Sequence, residues 1–350
     1  MSRRKRIAVC TAQVPFVRGG AEIHVESLAR ELRRRGFDVD IVTLPFKEYP
    51  RSQLLKSCLI WRLIDLTESS QSRIDLVIAT KFPSYVARHP NKVTWLIHQH
   101  RAVYDLYGTE HSDFTDSPED RRFRVMIRQI DNESLAESQR IFTNARNTAS
   151  RLARFNSLHG EPLYHPPKHD GRYRNDGYGD YVFAVSRLDR IKRLDGLVRA
   201  MAHTRPDLRC RIAGTGPMEP ELRRLAARLG VDGRIDFVGF VDDDQLIDLY
   251  ANCFAVYFAP YDEDYGYVTL EAFKSQKPVL TAPDSGGVLE FVEDGENGFV
   301  VPLDQPASMA ERIDQLHGNP RLAARLGEAG HARVAGITWD YAIERLTETL

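Results

Sequence analysis

The sequence predicts an α/β protein built from two doubly wound, Rossmann-like domains that face each other across a cleft. Short β-branched or aromatic runs alternate with amphipathic segments, a pattern typical of parallel sheets covered by helices. The alternation breaks once, at Pro166-Pro167 and the Gly-, Asp- and Asn-rich residues after it, and then restarts. A chain of 350 residues is also too long for one ordinary core.

The break predicts a linker at residues 166–180, between a first domain of residues 1–165 and a second domain of residues 181–335. In the first domain we expect strands at residues 5–11, 39–44, 74–79, 93–97 and 140–144, with helices at residues 21–35 and 123–137. In the second we expect strands at residues 181–185, 208–213, 235–238, 254–258, 279–281 and 299–301. The helices expected there cover residues 194–203, 218–229, 245–251 and 267–275.

Composition indicates a soluble globular protein, with 42% hydrophobic and 28% charged residues. No apolar run approaches the roughly 20 residues that cross a bilayer. The basic N-terminus leads directly into a strand rather than a signal-peptide core. A cytoplasmic protein is therefore expected. The four cysteines are far apart in sequence, so reduced thiols are expected rather than a disulfide or a zinc site.

The charge is unevenly distributed along the chain. Residues 1–170 carry 27 Lys and Arg against 20 Asp and Glu, whereas the remainder carries 21 against 29. The basic first half predicts an anionic surface or acceptor on that side, and the inner face of a membrane is one candidate for peripheral binding. Solvated Arg-rich helix ends explain the asymmetry equally well. No nucleic-acid partner is expected.

Residues 255–301 hold the strongest candidate site. A predicted strand is followed by a loop with Glu263, then by a helix that carries Glu271, with Gly266 at the junction. A helix N-terminus at the carboxyl end of a strand favours an anion. The two carboxylates would instead accept hydrogen bonds from hydroxyl groups. A nucleotide diphosphate sugar presents both kinds of group, although a solvated acidic turn is the alternative explanation.

Two cations follow the first strand of the second domain. Arg187 and Lys192 are five residues apart, and from a strand's carboxyl end they can converge on a diphosphate. Without further context, ordinary surface basic residues explain them as well.

The first domain offers weaker signals. Gly19-Gly20 precedes a predicted helix and would let backbone amides face a phosphate, but a plain tight turn is an equal alternative. His98 and His100 form a His-x-His pair at the end of a predicted strand, where both rings would point to one face. No third ligand lies nearby in sequence, so a metal site is not expected there.

Several of these segments resemble the retaining glycosyltransferases of family 4, which have the GT-B fold. Residues 263–272 read EDYGYVTLEA and are similar to the E-x7-E signature EGFGxxxxEA, with Asp264 in place of the usual glycine. Arg187 and Lys192 match the family's G-R-L-x-x-x-K-G segment, and residues 213–217 match its A-G-x-G-P turn. The resemblance covers most of the chain and is strongest over residues 182–302.

The resemblance implies a metal-independent transfer of a hexose from a nucleotide diphosphate sugar, without any cofactor. It implies roles for Arg187, Lys192 and the helix start at Gly266, Tyr267 and Val268 at the diphosphate, and for Glu271 at the ribose. The base is expected near Phe240 and Val241, beside the glycine turn at Gly214. The transferred sugar is expected to contact His98 (with His100 as second choice), Glu263, Asp264, Gly286 and Gly287, while Gly19 and Gly20 approach the donor pyrophosphate.

The resemblance also implies that residues 336–350 form a helix that packs back on the first domain. The acceptor is expected to be a saccharide, with a lipid-linked one in surface polysaccharide or lipopolysaccharide assembly favoured. The donor base, uracil or guanine, stays open, with a slight preference for GDP-mannose-like donors.

Three other classes compete with this interpretation. A dehydrogenase would also join two nucleotide-type sheets, but neither opening strand leads into G-x-G-x-x-G. Asp262-Glu263-Asp264 is formally the D-x-D of metal-dependent GT-A transferases, although it falls late in the second domain. A non-enzymatic partner protein would leave the cations and both glutamates without a common purpose.

Overall fold

The computed structural model describes residues 3–17 and 19–350. The chain divides into two compact units, one formed by Met1–Lys168 with Ile337–Leu350 and the other by His169–Gly336. Each unit contains a six-stranded parallel sheet. The α/β class and the two Rossmann-like sheets predicted from the sequence are thus confirmed.

The sheet of the first unit has the order β2-β1-β5-β6-β7-β8. Its strands, with the small antiparallel pair β3 and β4, are β1 Arg6–Gln13, β2 Asp38–Pro45, β3 Glu68–Ser69, β4 Ser72–Arg73, β5 Leu76–Ala79, β6 Lys92–Leu96, β7 Arg140–Thr143 and β8 Glu161–Pro162. The helices in this part of the chain are α1 Gly20–Arg34, α2 Ser52–Leu63, α3 Pro118–Ala136 and α4 Arg146–Asn156. The chain leaves β1 for β2 on one side and returns to β5 on the other, so a topological switch point lies between β1 and β5.

Helix α3 begins earlier than the predicted start at residue 123. The Ser117 hydroxyl accepts a hydrogen bond from the Asp120 amide, and Pro118 occupies the first helical turn. Both features are standard helix-start signals. The segment between β6 and α3 is therefore shorter than the predicted bounds imply.

The second unit repeats the design with the strand order β11-β10-β9-β12-β13-β14. The strands are β9 Tyr181–Val185, β10 Arg209–Ala213, β11 Ile235–Gly239, β12 Ala255–Tyr257, β13 Val279–Thr281 and β14 Gly298–Val300. The helices are α5 Leu194–Met201, α6 Glu219–Arg228, α7 Asp243–Asn252, α8 Tyr267–Lys274, α9 Pro306–His317 and α10 Pro320–Val334. The strands are short, and β9, β12, β13 and β14 are largely buried, as expected for a parallel sheet covered on both faces, whereas the edge strand β11 is mostly half-buried.

Most of the predicted linker of residues 166–180 belongs to the second unit. The Asp176 amide donates to the Ala251 carbonyl at 2.9 Å, and the Gly179 amide donates to the Asn252 carbonyl at 3.1 Å. The buried Lys277 ammonium donates to the Asn175 side-chain oxygen at 2.5 Å. These contacts hold residues 169–180, here called the entry segment, against the second unit.

The last helix, α11 Trp339–Thr347, belongs to the first unit. Its apolar side chains Trp339, Ala342, Ile343 and Leu346 are buried in a core cluster that also contains Val25 and Trp95. The C-terminal helix thus shares a core cluster with residues of β1, α1 and β6.

No helix in the described part of the chain is long and apolar enough to cross a membrane.

All four cysteines are buried and unpaired with one another. Burial raises the pKa of the Cys10 and Cys253 thiols to about 12.

Candidate functional site

The predicted donor residues lie at the carboxyl edge of the second sheet. The chain runs from β9 outward to β10 and β11, then crosses to β12 on the other side of β9. The carboxyl ends of β9 and β12 are therefore neighbours at a topological switch point, which is where ligands bind in open α/β sheets. The loop after β9 carries Arg187 and Lys192, and the loop after β12 carries Glu263.

Two glycines allow the loop after β10 to pack closely on the loop after β9. A Cβ at Gly214 would lie 1.9 Å from the Ser186 carbonyl oxygen, and one at Gly216 would lie 2.6 Å from the Leu188 oxygen. The Leu188 amide also donates to the Thr215 carbonyl at 2.9 Å. The A-G-x-G-P turn thus supports the backbone on either side of Arg187.

Lys192 and Glu263 meet directly. The Lys192 ammonium lies 2.5 Å from a Glu263 carboxylate oxygen, and the two side chains are 17% and 23% exposed. The two residues are 71 positions apart in the sequence, and they come together because β9 pairs with β12. Arg187 lies in the same loop with its side chain 61% exposed, and its guanidinium contacts Asp189 at 3.1 Å. Two cations and one carboxylate therefore share this edge of the sheet.

Arg193 is a structural residue that sequence reasoning missed. Its guanidinium forms a fork with the Asp284 carboxylate at 2.7 and 2.8 Å and donates to the carbonyls of Ala259 and Pro260. It joins the loops that follow β9, β12 and β13. Its backbone is left-handed, with φ of 51°, which explains why a glycine is common at this position in the family pattern.

Gly286 and Gly287 lie against the acidic loop. The Gly287 amide donates to the Glu263 carbonyl at 2.7 Å, and the Glu263 amide donates to the Ser285 carbonyl at 3.2 Å. A Cβ at Gly287 would lie 2.4 Å from the Asp264 carbonyl oxygen. The backbone of Glu263 and Asp264 is therefore fixed by the predicted sugar-binding glycines.

Gly266 forms the start of α8. Its φ of 79° is left-handed, and a Cβ there would lie 3.1 Å from Val288 and 3.3 Å from Phe258. Tyr267 and Val268 follow as the first helical residues, so their backbone amides belong to the N-terminus of α8.

Glu271 lies in the middle of the same helix and is half-buried. Its carboxylate accepts a hydrogen bond of 2.7 Å from the Tyr250 hydroxyl. The two glutamates of the E-x7-E pattern thus have different surroundings, because Glu263 contacts a cation and Glu271 contacts a buried phenol.

The loop after β11 borders the Gly214 turn. The Gly214 amide donates to the Gly239 carbonyl at 2.7 Å, and Gly239 itself is left-handed with φ of 71°. Phe240 follows with its side chain 83% exposed, and Val241 is half-buried. A large apolar ring is thus presented to solvent at the position predicted for the base.

In the first unit, Gly19 and Gly20 lie at the start of α1, after β1. The Gly19 amide donates to the Glu22 carboxylate at 2.9 Å. The other Glu22 oxygen accepts from the Lys81 ammonium at 2.7 Å, and Lys81 follows β5 across the switch point. Sequence reasoning missed this pair, although a glutamate three residues after a helix start is a recognisable capping signal.

The expectation that His98 and His100 point to one face of a strand was wrong. Strand β6 ends at Leu96, and both residues lie in the loop after it. His98 is half-buried, and its Nδ1 lies 2.9 Å from the Gln99 carbonyl. His100 is buried between the rings of Phe82 and Phe114, and burial lowers its pKa to about 4. His98 is therefore the more accessible of the two rings.

Within residues 3–17 and 19–350, no group of three or more His, Cys, Asp or Glu side chains is arranged to hold a metal ion.

Two protein families match consecutive parts of the chain. Residues 18–164 match the model described as Glycosyltransferase Family 4, and residues 168–333 match Glycosyl transferases group 1. The two matches fall on the two units and meet at the boundary between them.

Curated relatives carry the same type of name. The D-inositol 3-phosphate glycosyltransferase of Streptomyces scabiei is 36% identical over 168 residues, a match that covers 45% of this chain and 37% of that relative. The chain thus matches little more than a third of the length of that relative. The Nocardia farcinica protein of the same name is 28% identical over 386 residues, covering 95% of this chain and 84% of that relative.

Solved structures share the fold over nearly the whole chain. Sucrose-phosphate synthase from Thermosynechococcus elongatus superposes with a TM-score of 0.78 at 20% identity, covering 99% of this chain and 98% of that one. Anabaena Alr3699/HepE, solved in complex with UDP and glucose, gives a TM-score of 0.72 at 19% identity and covers 99% of both chains.

Proposed function

Since the chain belongs to the group 1 glycosyltransferases of family 4 and has their GT-B fold, we propose that it is a retaining, metal-independent hexosyltransferase. It moves a hexose from a nucleotide diphosphate sugar to a saccharide acceptor. The observation that carries the proposal is the contact between Lys192 and Glu263 at the switch point of the second sheet.

Lys192 and Arg187 bind the diphosphate in this proposal. A diphosphate gains negative charge as the bond to the sugar breaks, so cations and helix amides aimed at it stabilise the transition state. The backbone amides at the start of α8, those of Gly266, Tyr267 and Val268, supply the helix contribution. Because two cations and a helix N-terminus are present at one edge, the leaving group can be stabilised without a metal ion.

The carboxylates bind hydroxyl groups. Glu263 accepts hydrogen bonds from the transferred sugar, with Asp264 and the backbone at Gly286 and Gly287 beside it. Glu271 accepts hydrogen bonds from the ribose. The Lys192–Glu263 ion pair holds both side chains in place before the donor binds. The donor then separates them, so that Lys192 contacts a phosphate and Glu263 contacts the sugar.

The exposed ring of Phe240 offers a stacking surface for the base, with Val241 beside it and Gly214 close to the nucleotide. The solved neighbour Alr3699/HepE is described in complex with UDP, which favours uracil, whereas the sequence alone slightly favours a GDP-mannose-like donor. A panel of UDP- and GDP-sugars tests both. The proposal requires one donor to raise the Tm and to be hydrolysed or transferred, and it fails if none does either.

The first unit binds the acceptor. Gly19, Gly20 and the Lys81–Glu22 pair lie at its own switch point, and His98 contacts the sugar that is transferred. In the retaining mechanism the acceptor hydroxyl attacks from the face that the leaving phosphate occupies, and a phosphate oxygen accepts its proton.

We further propose that the acceptor is lipid-linked, as in surface polysaccharide or lipopolysaccharide assembly, and that the protein is cytoplasmic and binds the inner membrane face. Two ion pairs link the ends of α2 and α3: Arg51, just before α2, contacts Asp120 of α3 at 3.1 Å, and Arg62 of α2 contacts Glu137, just after α3, at 2.5 Å. Five large apolar side chains project from them into solvent with exposures of 46–74%, namely Leu59, Ile60, Leu63, Val125 and Met126.

Basic residues accompany this apolar surface, since Lys56 and Arg122 are exposed on the same two helices. Apolar side chains flanked by cations suit an anionic bilayer. We expect the full chain to sediment with vesicles that contain phosphatidylglycerol but much less with pure phosphatidylcholine. Changing Leu59 and Leu63 together to Ser should lower binding at least about tenfold, whereas Leu229→Ser in the second unit should not. Equal binding by both variants would contradict the membrane proposal.

A further inference from the structure

Glu271 is held by a buried phenol that the family pattern does not include. The Tyr250 hydroxyl donates to the Glu271 carboxylate at 2.7 Å, and Tyr250 is fully buried on α7. The hydrogen bond joins two different helices, because Glu271 lies on α8. A carboxylate with one oxygen held in this way keeps a fixed plane, whereas an unsupported one rotates about its last side-chain bonds.

The ring of Tyr250 is itself locked by aromatic contacts on two sides. It meets Phe183 of β9 edge-on at 5.1 Å between centroids, and it meets Tyr173 of the entry segment edge-on at 6.0 Å. Burial and then the charge of Glu271 raise the pKa of Tyr250 well above its ordinary value. The hydroxyl therefore stays protonated and available as a donor throughout the working pH range.

Tyr173 adds a second phenol beside the same carboxylate. Burial, followed by the negative charge of Glu271, raises its pKa strongly. Two neutral phenols thus lie near Glu271, and the Tyr250 hydroxyl is the one that donates a hydrogen bond to it.

The entry segment also fixes α7, the helix that carries Tyr250. His169 Nε2 lies 3.0 Å from the Asp243 carboxylate, and Arg172 and Arg174 form ion pairs with Asp244 and Asp248. All three acidic residues belong to α7. The helix is thereby clamped along its length, and this limits the movement of Tyr250 relative to α8.

We propose that Tyr250, with Tyr173 beside it, is a positioning residue that orients Glu271 toward the ribose hydroxyls of the nucleotide. This inference rests on the proposed function of Glu271. In this role, Tyr250 helps the protein to bind ribonucleotides more tightly than nucleotides that lack the ribose hydroxyls. Such selectivity depends on a correctly aimed acceptor, because a misplaced carboxylate is desolvated without gaining a hydrogen bond.

The test is calorimetric titration of the full chain with UDP and GDP and with their 2′,3′-dideoxy counterparts. We expect the wild type to prefer the better-binding ribonucleotide over its dideoxy form by at least about tenfold, since hydrogen bonds to a carboxylate are involved. Tyr250→Phe keeps the ring and removes only the hydroxyl. It should lower this preference at least about fivefold, with little change in the affinity for the dideoxy nucleotide.

Tyr181→Phe is the matched control. The Tyr181 hydroxyl also contacts α7, donating to the Leu249 carbonyl at 2.7 Å, but it does not contact Glu271. This variant should keep the ribose preference even if its Tm falls. A merely structural role for Tyr250 would lower stability in both variants and leave the preference unchanged in both, which would overturn the inference.

The titration of the wild type distinguishes a failure of the proposed role of Glu271 from a failure of the inference about Tyr250. A wild type without ribose preference would contradict the role of Glu271 and the inference together, whereas a preference that survives in Tyr250→Phe overturns the inference alone. If Tyr250→Phe does not fold, Phe183→Leu decides, because it removes a ring that packs on Tyr250: a lowered ribose preference supports the inference, and an unchanged one overturns it.

Discussion

Replacing Lys192 by alanine removes the cation that meets Glu263 at the switch point. The ammonium lies 2.5 Å from the carboxylate, and both side chains are less than a quarter exposed, so solvent does not fully replace the lost charge. Losing one preorganised group that stabilises leaving-group charge should cost at least about 2 kcal/mol in kcat/KM, or about 30-fold. The ion pair itself contributes only about 1 kcal/mol to folding.

The assay is steady-state sugar transfer, or donor hydrolysis if no acceptor is found, with the Tm of each variant measured in parallel. Arg190→Ala is the matched control, because Arg190 is an exposed cation in the same turn. We expect the Lys192 variant to lose activity while its Tm falls by only a few degrees, and we expect the control to keep both. A Lys192 variant with near wild-type kcat/KM would refute the diphosphate assignment.

Three further outcomes are expected. Glu263→Gln should lower kcat/KM by at least about tenfold while the affinity for the free nucleoside diphosphate changes less; an equal loss of both would contradict a sugar contact. Gly287→Ala should lower the free energy of unfolding by about 1–3 kcal/mol, because the added Cβ would lie 2.4 Å from a backbone oxygen. Gly233→Ala is the control, since its Cβ would meet no atom within 4 Å, and it should leave thermal unfolding nearly unchanged. Burial lowers the pKa of His165 to about 4, so the folded protein binds fewer protons than the unfolded chain between pH 6.5 and 4. Stability should therefore fall by up to about 3 kcal/mol as the pH drops through that window, and His165→Gln should flatten the fall in denaturant titrations; identical profiles would contradict this.

Strands were the most predictable part of the fold. Buried runs such as YVFAV at β9 and AVY at β12 are β-branched or aromatic and end at turn residues, so periodicity alone locates them. Helix α2 was not predicted, because the apolar residues of SQLLKSCLIWRL lie on both its buried and its exposed sides, which leaves no clear amphipathic pattern. Its exposed leucines are the residues that now suggest a membrane surface.

Pairwise contacts were not predictable from local pattern. Lys192 and Glu263 could each be identified from their position after a strand, but their meeting depends on the strand order, which places β9 beside β12. Nothing in the sequence pointed to a functional role for Tyr250, since a tyrosine on the buried face of an amphipathic helix is normally a core residue. Arg193 was not identified from the sequence, whereas the structure gives it four hydrogen bonds that join three loops.

The most direct test of the central claim is a crystal structure of the full chain with the nucleotide sugar identified by the donor panel. The claim predicts diphosphate oxygens within hydrogen-bond distance of Lys192 and the amides that begin α8, with Glu263 on the sugar hydroxyls and Glu271 on the ribose. A donor bound away from the carboxyl edge of β9 and β12, or one whose diphosphate contacts neither Lys192 nor α8, would contradict it.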